Sequence, residues 1–251
     1  MEDEKPNDDF SNNVFTNMMN LFFNPEITKR KAENSIDDSF ELLAAQAIIF
    51  PDERQTIINL NSEVSAIVKL KKVANKDNDG FKASTEQIEY VKLKDEEFLN
   101  CGHVTIILFN DGYHISFDFQ YNKQISREHL KAAEQFIETS KFALDNKYIT
   151  SFIDNSYSAI ELLAKTNLLL EANSKVAGKT IHKTIHSTFN LRFKNSHTAF
   201  EIQRRKTLND LTVARKNARY LEGKIYFEEE KLTEIYHTIS HLFNDLSNRA
   251  N

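Results

Sequence analysis

Apolar positions change their period twice along this chain. Val14, Phe15, Met18, Met19, Phe22 and Phe23 recur at helical spacing, which predicts a short helix, and Pro25 opens a second one through Lys31. The first ten residues are acidic and polar and are expected to form a mobile tail. From Phe40 the texture becomes that of strands. Leu42 to Phe50 is an apolar run closed by Pro51, and Thr56–Leu60 and Glu63–Val73 alternate as half-buried strands do. Asp77-Asn78-Asp79-Gly80 reads as a turn, since Gly and Asn tolerate positive φ. His103–Phe109 and Tyr113–Tyr121, joined through Asn110-Asp111-Gly112, read as a hairpin. On its second arm His114, Ser116, Asp118 and Gln120 alternate with Tyr113, Ile115, Phe117, Phe119 and Tyr121, which predicts one wet face and one dry face. Residues 40–124 are therefore expected to form an antiparallel sheet.

After Ser126, a candidate N-cap, the period becomes helical. Leu130, Ala133, Ile137 and Leu144 mark a first helix. Phe152, Tyr157, Ile160, Leu163, Ala164 and Leu168 mark a second, apolar enough to be central. A polar connector holds a short helix over Thr180–Phe193. Thr198 and Glu201 form a capping box for a third long helix, with Leu208, Leu211, Ala214, Ala218 and Leu221 inward and Gly223 as its stop. The acidic run Glu228–Glu230 suits the positive end of a fourth, striped by Leu232, Ile235, Ile239, Leu242 and Leu246. The predicted organisation is α+β: residues 1–39 as tail and short helices, 40–124 as an antiparallel sheet region, and 125–251 as an antiparallel four-helix bundle.

Composition narrows the class. Only 5 Gly and 3 Pro punctuate 251 residues, which favours long helices, and with 19 Phe and no Trp the aromatic core is largely phenyl. A single cysteine, Cys101, cannot form an internal disulfide, and no basic, apolar leader opens the chain. The most apolar stretch, Ile149–Leu170, is broken by Asp154, Glu161 and Lys165, so no membrane span is expected. A soluble, cytoplasmic protein is the expectation.

Charge is distributed unevenly. The window Gly178–Lys224 holds eleven basic residues against three acidic ones, a net +8 in a chain whose overall charge is −5. Phosphate binding needs several cations on one surface, and Phe193, Phe200 and Tyr220 could stack on unpaired bases. The bland reading is an electrostatic seam between two copies. His182/His186 and His237/His241 are each spaced i, i+4, as metal-binding imidazoles can be, but no Cys ligand or His-Glu-x-x-His pattern accompanies them, so no metal is expected. The five glycines stand apart, which excludes a Gly-rich phosphate loop; no cofactor is expected.

A helix such as REHLKAAEQFIETSKFAL, an apolar helix such as NSYSAIELLAKTNLLL, a His-containing connector, a helix ending ARKNARYLEG and a last amphipathic helix follow one another in the chain. This order resembles the HEPN domain over about residues 125–248. The resemblance implies a helical bundle, a tendency to dimerise and a link to RNA in defence or stress responses. Many HEPN domains cleave RNA through an Arg followed, after four to six residues, by a His near the end of the third helix. Arg215 matches that arginine, but Tyr220 stands where the histidine belongs. Tyrosine, with an ordinary pKa of about 10, is a poor base near neutrality, which weighs against catalysis. A second Arg-x4-His, Arg192 to His197, precedes the third helix.

These readings converge on a homodimeric RNA-binding or other nucleic-acid-binding protein. Its expected phosphate contacts are Arg192, Arg204, Arg215, Lys216 and Arg219. Two alternatives stay open. One is a protein-interaction module that recognises a partner through the sheet region. The other is a metal-independent endoribonuclease in which His197 transfers protons and Arg192 or Arg215 stabilises the phosphate.

Overall fold

A computed structural model describes residues 8–71, 83–220 and 227–251. The turn expected at Asp77–Gly80, the apolar Leu221 and the helix stop at Gly223 lie outside the described residues. The chain divides into two compact units, Met1–Phe119 and Gln120–Asn251.

The first unit opens with helix α1 (Asp8–Met18), one π-helical turn (Met19–Phe23) and helix α2 (Asn24–Ala32). Residues 8–10, expected in a tail, are therefore already helical. Pro25 sits in the first turn of α2, where its missing N–H is not needed. Among the described residues six strands follow: β1 (Ala44–Ile49), β2 (Ile57–Leu60), β3 (Ala66–Leu70), β4 (Ile88–Leu93), β5 (Gly102–Phe109) and β6 (Gly112–Asp118). They form two antiparallel sheets rather than the single one expected: four strands in the order β2-β1-β5-β6, and the pair β3-β4. β4 was not foreseen, because its burial repeats irregularly along Ile88–Leu93 instead of alternating.

The faces of β6 also differ from expectation. Register sets Ala45 opposite Ile106 and Ala47 opposite Val104, and this side of the large sheet packs on Phe23 and its helical neighbours. Tyr113 of β6 meets Phe15 there, yet Phe117 on the same face stays 51 % exposed. The supposedly wet face is the more enclosed one: the Ser116 hydroxyl donates to the Val91 carbonyl, and buried Gln46 donates from Nε2 to the Ser65 carbonyl. Alternation gave the pleat correctly but could not tell which side the small sheet covers. Arg30 ties α2 to β2, donating to Glu26, to both Glu63 oxygens and to the Ile58 carbonyl at 2.8–2.9 Å.

The second unit is the antiparallel helical bundle: α3 (Lys123–Asp145), α4 (Ile149–Leu170), the short α5 (His182–Arg192), α6 (Ala199–Tyr220) and α7 (Glu229–Ala250). Ser126 is not a cap; it is fully buried inside the first turns of α3. The capping pair of α6 is present, with the Glu201 backbone N–H donating to Thr198 Oγ1 and the Thr198 hydroxyl donating to Glu201 Oε2. α4 is apolar nearly all round and packs against α3, α5, α6 and α7, as a helix without a polar face must. Its Phe152, Ile160, Leu163 and Leu168 are sealed from solvent, and α7 contributes Leu232, Ile235, Ile239, Leu242 and Leu246 to the same core. Among the described residues, no helix is long and apolar enough to cross a membrane.

Two of these helices end without glycine: Lys147 after α3 and Ala172 after α4 take φ of +60° and +54°. The amide of Tyr148 returns to the Ala143 carbonyl and that of Asn173 to the Leu168 carbonyl, so the last turns are closed in the manner usually given to Gly. Because Leu168 is fully enclosed, Leu168→Ala should cost about 2–5 kcal/mol of unfolding free energy through lost burial and the cavity left behind. Denaturant titration followed by circular dichroism measures it, and a loss well under about 1 kcal/mol would contradict the central place of α4.

Candidate nucleic-acid interface

α4 carries ionisable side chains along one line. Asp154, Tyr157 and Glu161 follow at i, i+3 and i+7, which places them on one face. α6 answers with Thr212, Arg215 and Arg219 at the same spacing, and α5 adds His182 and His186, one turn apart. The structure brings all three sets together into one polar seam.

At one end Arg215 and Arg219 share the Asp154 carboxylate, with Nε to Oδ1 distances of 3.0 and 2.7 Å and a second Arg219 contact of 3.1 Å to Oδ2. Burial works against the charge on Asp154, but the two guanidiniums outweigh it and hold its pKa below the usual value. The Arg215 guanidinium also lies 4.1 Å from the Tyr157 ring centroid, a cation–π distance. Tyr157, Thr212, Arg215, Lys216 and Arg219 line a cleft of about 170 Å³. Lys216 is exposed and has no ion-pair partner among the described residues. Among the described residues, two arginines and a lysine gather here around one carboxylate.

At the other end the buried Glu161 carboxylate, 8 % exposed, collects donors. Its Oε1 accepts the Tyr157 hydroxyl at 2.9 Å and lies 2.5 Å from His182 Nδ1 and 3.3 Å from His186 Nε2. Burial would raise the Glu161 pKa, but donation from His186, His182 and Tyr157 overrides it and keeps the group ionised below its ordinary range. Tyr157 moves the opposite way: burial first, then the neighbouring Glu161 charge, push its hydroxyl up to about 12. The Thr212 hydroxyl donates to the Leu208 carbonyl at 2.6 Å, and its oxygen lies 3.1 Å from His186 Nδ1. His186 thereby joins α5 to both α4 and α6.

A family model for the HEPN domain matches residues 126–249. The helical half of this chain is a HEPN domain. No curated protein and no solved structure matches the chain.

Within the HEPN domain the residues singled out from sequence fall into separate groups. Arg215, Lys216 and Arg219 meet at the cleft. Arg192, the last residue of α5, is instead paired with Glu171 at 2.7 Å, which raises its pKa. His197 is exposed in the connector before α6. Arg204 is only 7 % exposed; its guanidinium lies 4.3 Å from the Phe200 ring and 5.3 Å from Phe193, with Asp245 at 3.8 Å. A guanidinium so enclosed is a packing element, not a hand held out to phosphate. Tyr220 ends α6, and its side chain lies outside the described residues. The two His pairs also part company: His182 and His186 serve Glu161, while His241 packs on the Phe200 ring at 3.9 Å. Among the described residues, no cluster of His, Cys, Asp and Glu is arranged to hold a metal.

Tyr157, Glu161 and Thr212 were missed as site residues. They sit within apolar helical stretches, and only the matching i, i+3, i+7 spacing on the second and third long helices could have marked them.

Asp154 and Glu161 both have lowered pKa values in the folded protein, so each contributes stability that is present above its ordinary pKa and is lost as pH falls through the folded value. Unfolding free energy should therefore hold steady at neutral pH and drop below about pH 4.5, the ordinary range of a carboxyl group. Glu161→Gln should flatten that drop in urea titrations across pH; an unchanged slope would show that the carboxylate is not held as described.

Proposed function

We propose that the HEPN domain binds RNA, with the cleft of Arg215, Lys216 and Arg219 gripping backbone phosphate. The observation that carries this reading is the convergence of three cations on one turn-and-a-half of α6 around a shared aromatic wall, Tyr157. Guanidiniums match the fork geometry of phosphate oxygens, and Asp154 holds two of them in place before any ligand arrives. Lys179, Lys183, Lys194 and Lys206 of the same basic window are also exposed. Family membership supports the same direction, since HEPN domains are commonly linked to RNA. In this reading the chain acts as a homodimer in a defence or stress response.

A second reading draws on the first unit, where Phe117 and Phe119 stack at 5.7 Å with both rings exposed. An apolar pair of that kind suits a protein partner, and in that case the HEPN domain would serve assembly rather than RNA.

Salt separates the two. Binding to a single-stranded RNA oligonucleotide should weaken steeply with ionic strength, and each phosphate contact removed should lower the log–log salt slope by about 1. Lys216→Glu is the cleanest variant, because it disturbs no ion pair among the described residues, and Arg215→Gln with Arg219→Gln should weaken binding further. Fluorescence anisotropy between low and moderate salt reads both. Affinity that ignores salt and all three substitutions would sink the RNA interface.

A further inference from the structure

We propose that the outer edge of β6 is a docking surface for a second copy of this chain, whose own β6 adds to it antiparallel. This rests on the homodimer reading above and deepens it, setting the contact in the first unit and not in the HEPN domain.

An edge strand offers a row of backbone N–H and C=O groups to any strand that comes beside it, and sheets usually guard such rows. The four-stranded sheet guards one of its two edges. β2 is only four residues long, and its Ile58 carbonyl accepts from Arg30 Nη2 at 2.9 Å. β6, at the other edge, spans seven residues without Lys or Pro, and its register with β5 runs unbroken. Among the described residues no strand pairs with its outer side. Beside it lies a groove of about 470 Å³, walled by Phe10, Val14 and Phe15 of α1 and by Tyr113, Ile115 and Phe117 of β6. A strand edge beside a helix-lined groove takes up an added strand through its backbone, while alternate side chains of that strand enter the groove.

The sequence of β6 fits a copy of itself in that place. Two β6 strands paired antiparallel about Ser116 set identical faces of the two sheets on the same side. His114 then stands opposite Asp118 of the partner subunit, and the two-fold axis makes this complementary pair twice. An imidazole N–H donates to a carboxylate in either protonation state. On the groove face, Ile115 stands opposite Phe117 of the partner subunit and Tyr113 opposite Phe119 of the partner subunit. Phe117 and Phe119 are 51 % and 38 % exposed and stack on each other at 5.7 Å. The register carries this aromatic pair to the partner's groove, where Phe10 is itself 68 % exposed. Covering the exposed parts of Phe10, Tyr113, Phe117 and Phe119 removes roughly 400 Å² per protomer. That is about half of the ~800 Å² that each side of a standard interface buries, before the paired backbones are counted. Two-fold pairing occupies both β6 edges, so assembly closes at two copies.

The test uses the full chain. Sedimentation velocity should show a dimer whose dissociation constant rises at least about tenfold in Phe117→Asp, with circular dichroism unchanged because this ring lies outside the core. Lys216→Glu should leave the dimer intact. Ser116 alone in β6 meets its own counterpart in this register, with Cα atoms about 4.5–5.5 Å apart, within disulfide reach. Oxidised Ser116→Cys should therefore run as a covalent dimer on non-reducing gels, and His114→Cys should not; the wild type, with Cys101 buried, is the baseline. A dimer that Phe117→Asp leaves unchanged, or that His114→Cys traps in place of Ser116→Cys, would overturn this surface and leave the homodimer standing elsewhere. Dissociation by Lys216→Glu alone would move the contact to the HEPN domain and overturn it likewise. A wild-type chain that stays monomeric would overturn the homodimer and this surface together, without touching the RNA interface that anisotropy reads.

Discussion

Placing a carboxylate inside a helical bundle obliges the surrounding helices to supply donors, and Glu161 imposes that demand on the centre of this HEPN domain. An unpaired buried charge is expensive enough that the group would protonate or the bundle would rearrange. Three side chains answer: Tyr157 from one turn earlier on α4, and His182 and His186 from α5. This explains why a short, mostly polar helix docks at all. α5 buries few apolar residues, with Ile185, Thr188 and Phe189 facing the core, so its seating depends on the histidines as well as on packing. His186 then passes the constraint to α6 through Thr212, and Tyr157 passes it to Arg215. Two acids thus order the seam: Glu161 seats α5, and Asp154 holds Arg215 and Arg219.

The same logic corrects the charge picture. A net +8 in one window suggests a strongly basic surface, yet several of those cations are met by acids from elsewhere in the domain. Arg192 meets Glu171, Arg204 meets Asp245, and Arg215 and Arg219 meet Asp154. Counting residues along the chain overstated the free charge because ion pairs form between helices. Beside the Asp154 pair, Lys216 stands exposed and without an ion pair among the described residues. A pair that shares its carboxylate is also pre-positioned, so a phosphate would meet an ordered fork instead of two flexible chains.

The long helices were legible from their periodicity, because α4 and α7 carry apolar residues at every position their packing requires, and the Thr198–Glu201 pair marked the start of α6. Their ends were harder to read. Lys147 and Ala172 occupy left-handed positions where glycine is the usual signal, and no residue type announced them. β4 was hidden for a related reason: burial along Ile88–Leu93 is set by the small sheet's packing and not by strict alternation. At the site, the arginines of α6 were visible as charge and the α5 histidines as a spaced pair. Glu161 looked like an interruption in an apolar run. Only the fold shows it to be the hub, since its partners come from positions 21 and 25 residues further on, a separation that no local pattern encodes.

The most direct test of this account is to map where RNA touches the protein, by photo-crosslinking single-stranded RNA to the full chain and locating the modified peptides by mass spectrometry. Crosslinks clustered in residues 154–161, 182–194 and 212–219 are predicted, because these segments carry the polar seam and the cleft. Crosslinks confined to residues 8–119, or spread evenly over the surface, would contradict the assignment of the seam as the nucleic-acid interface.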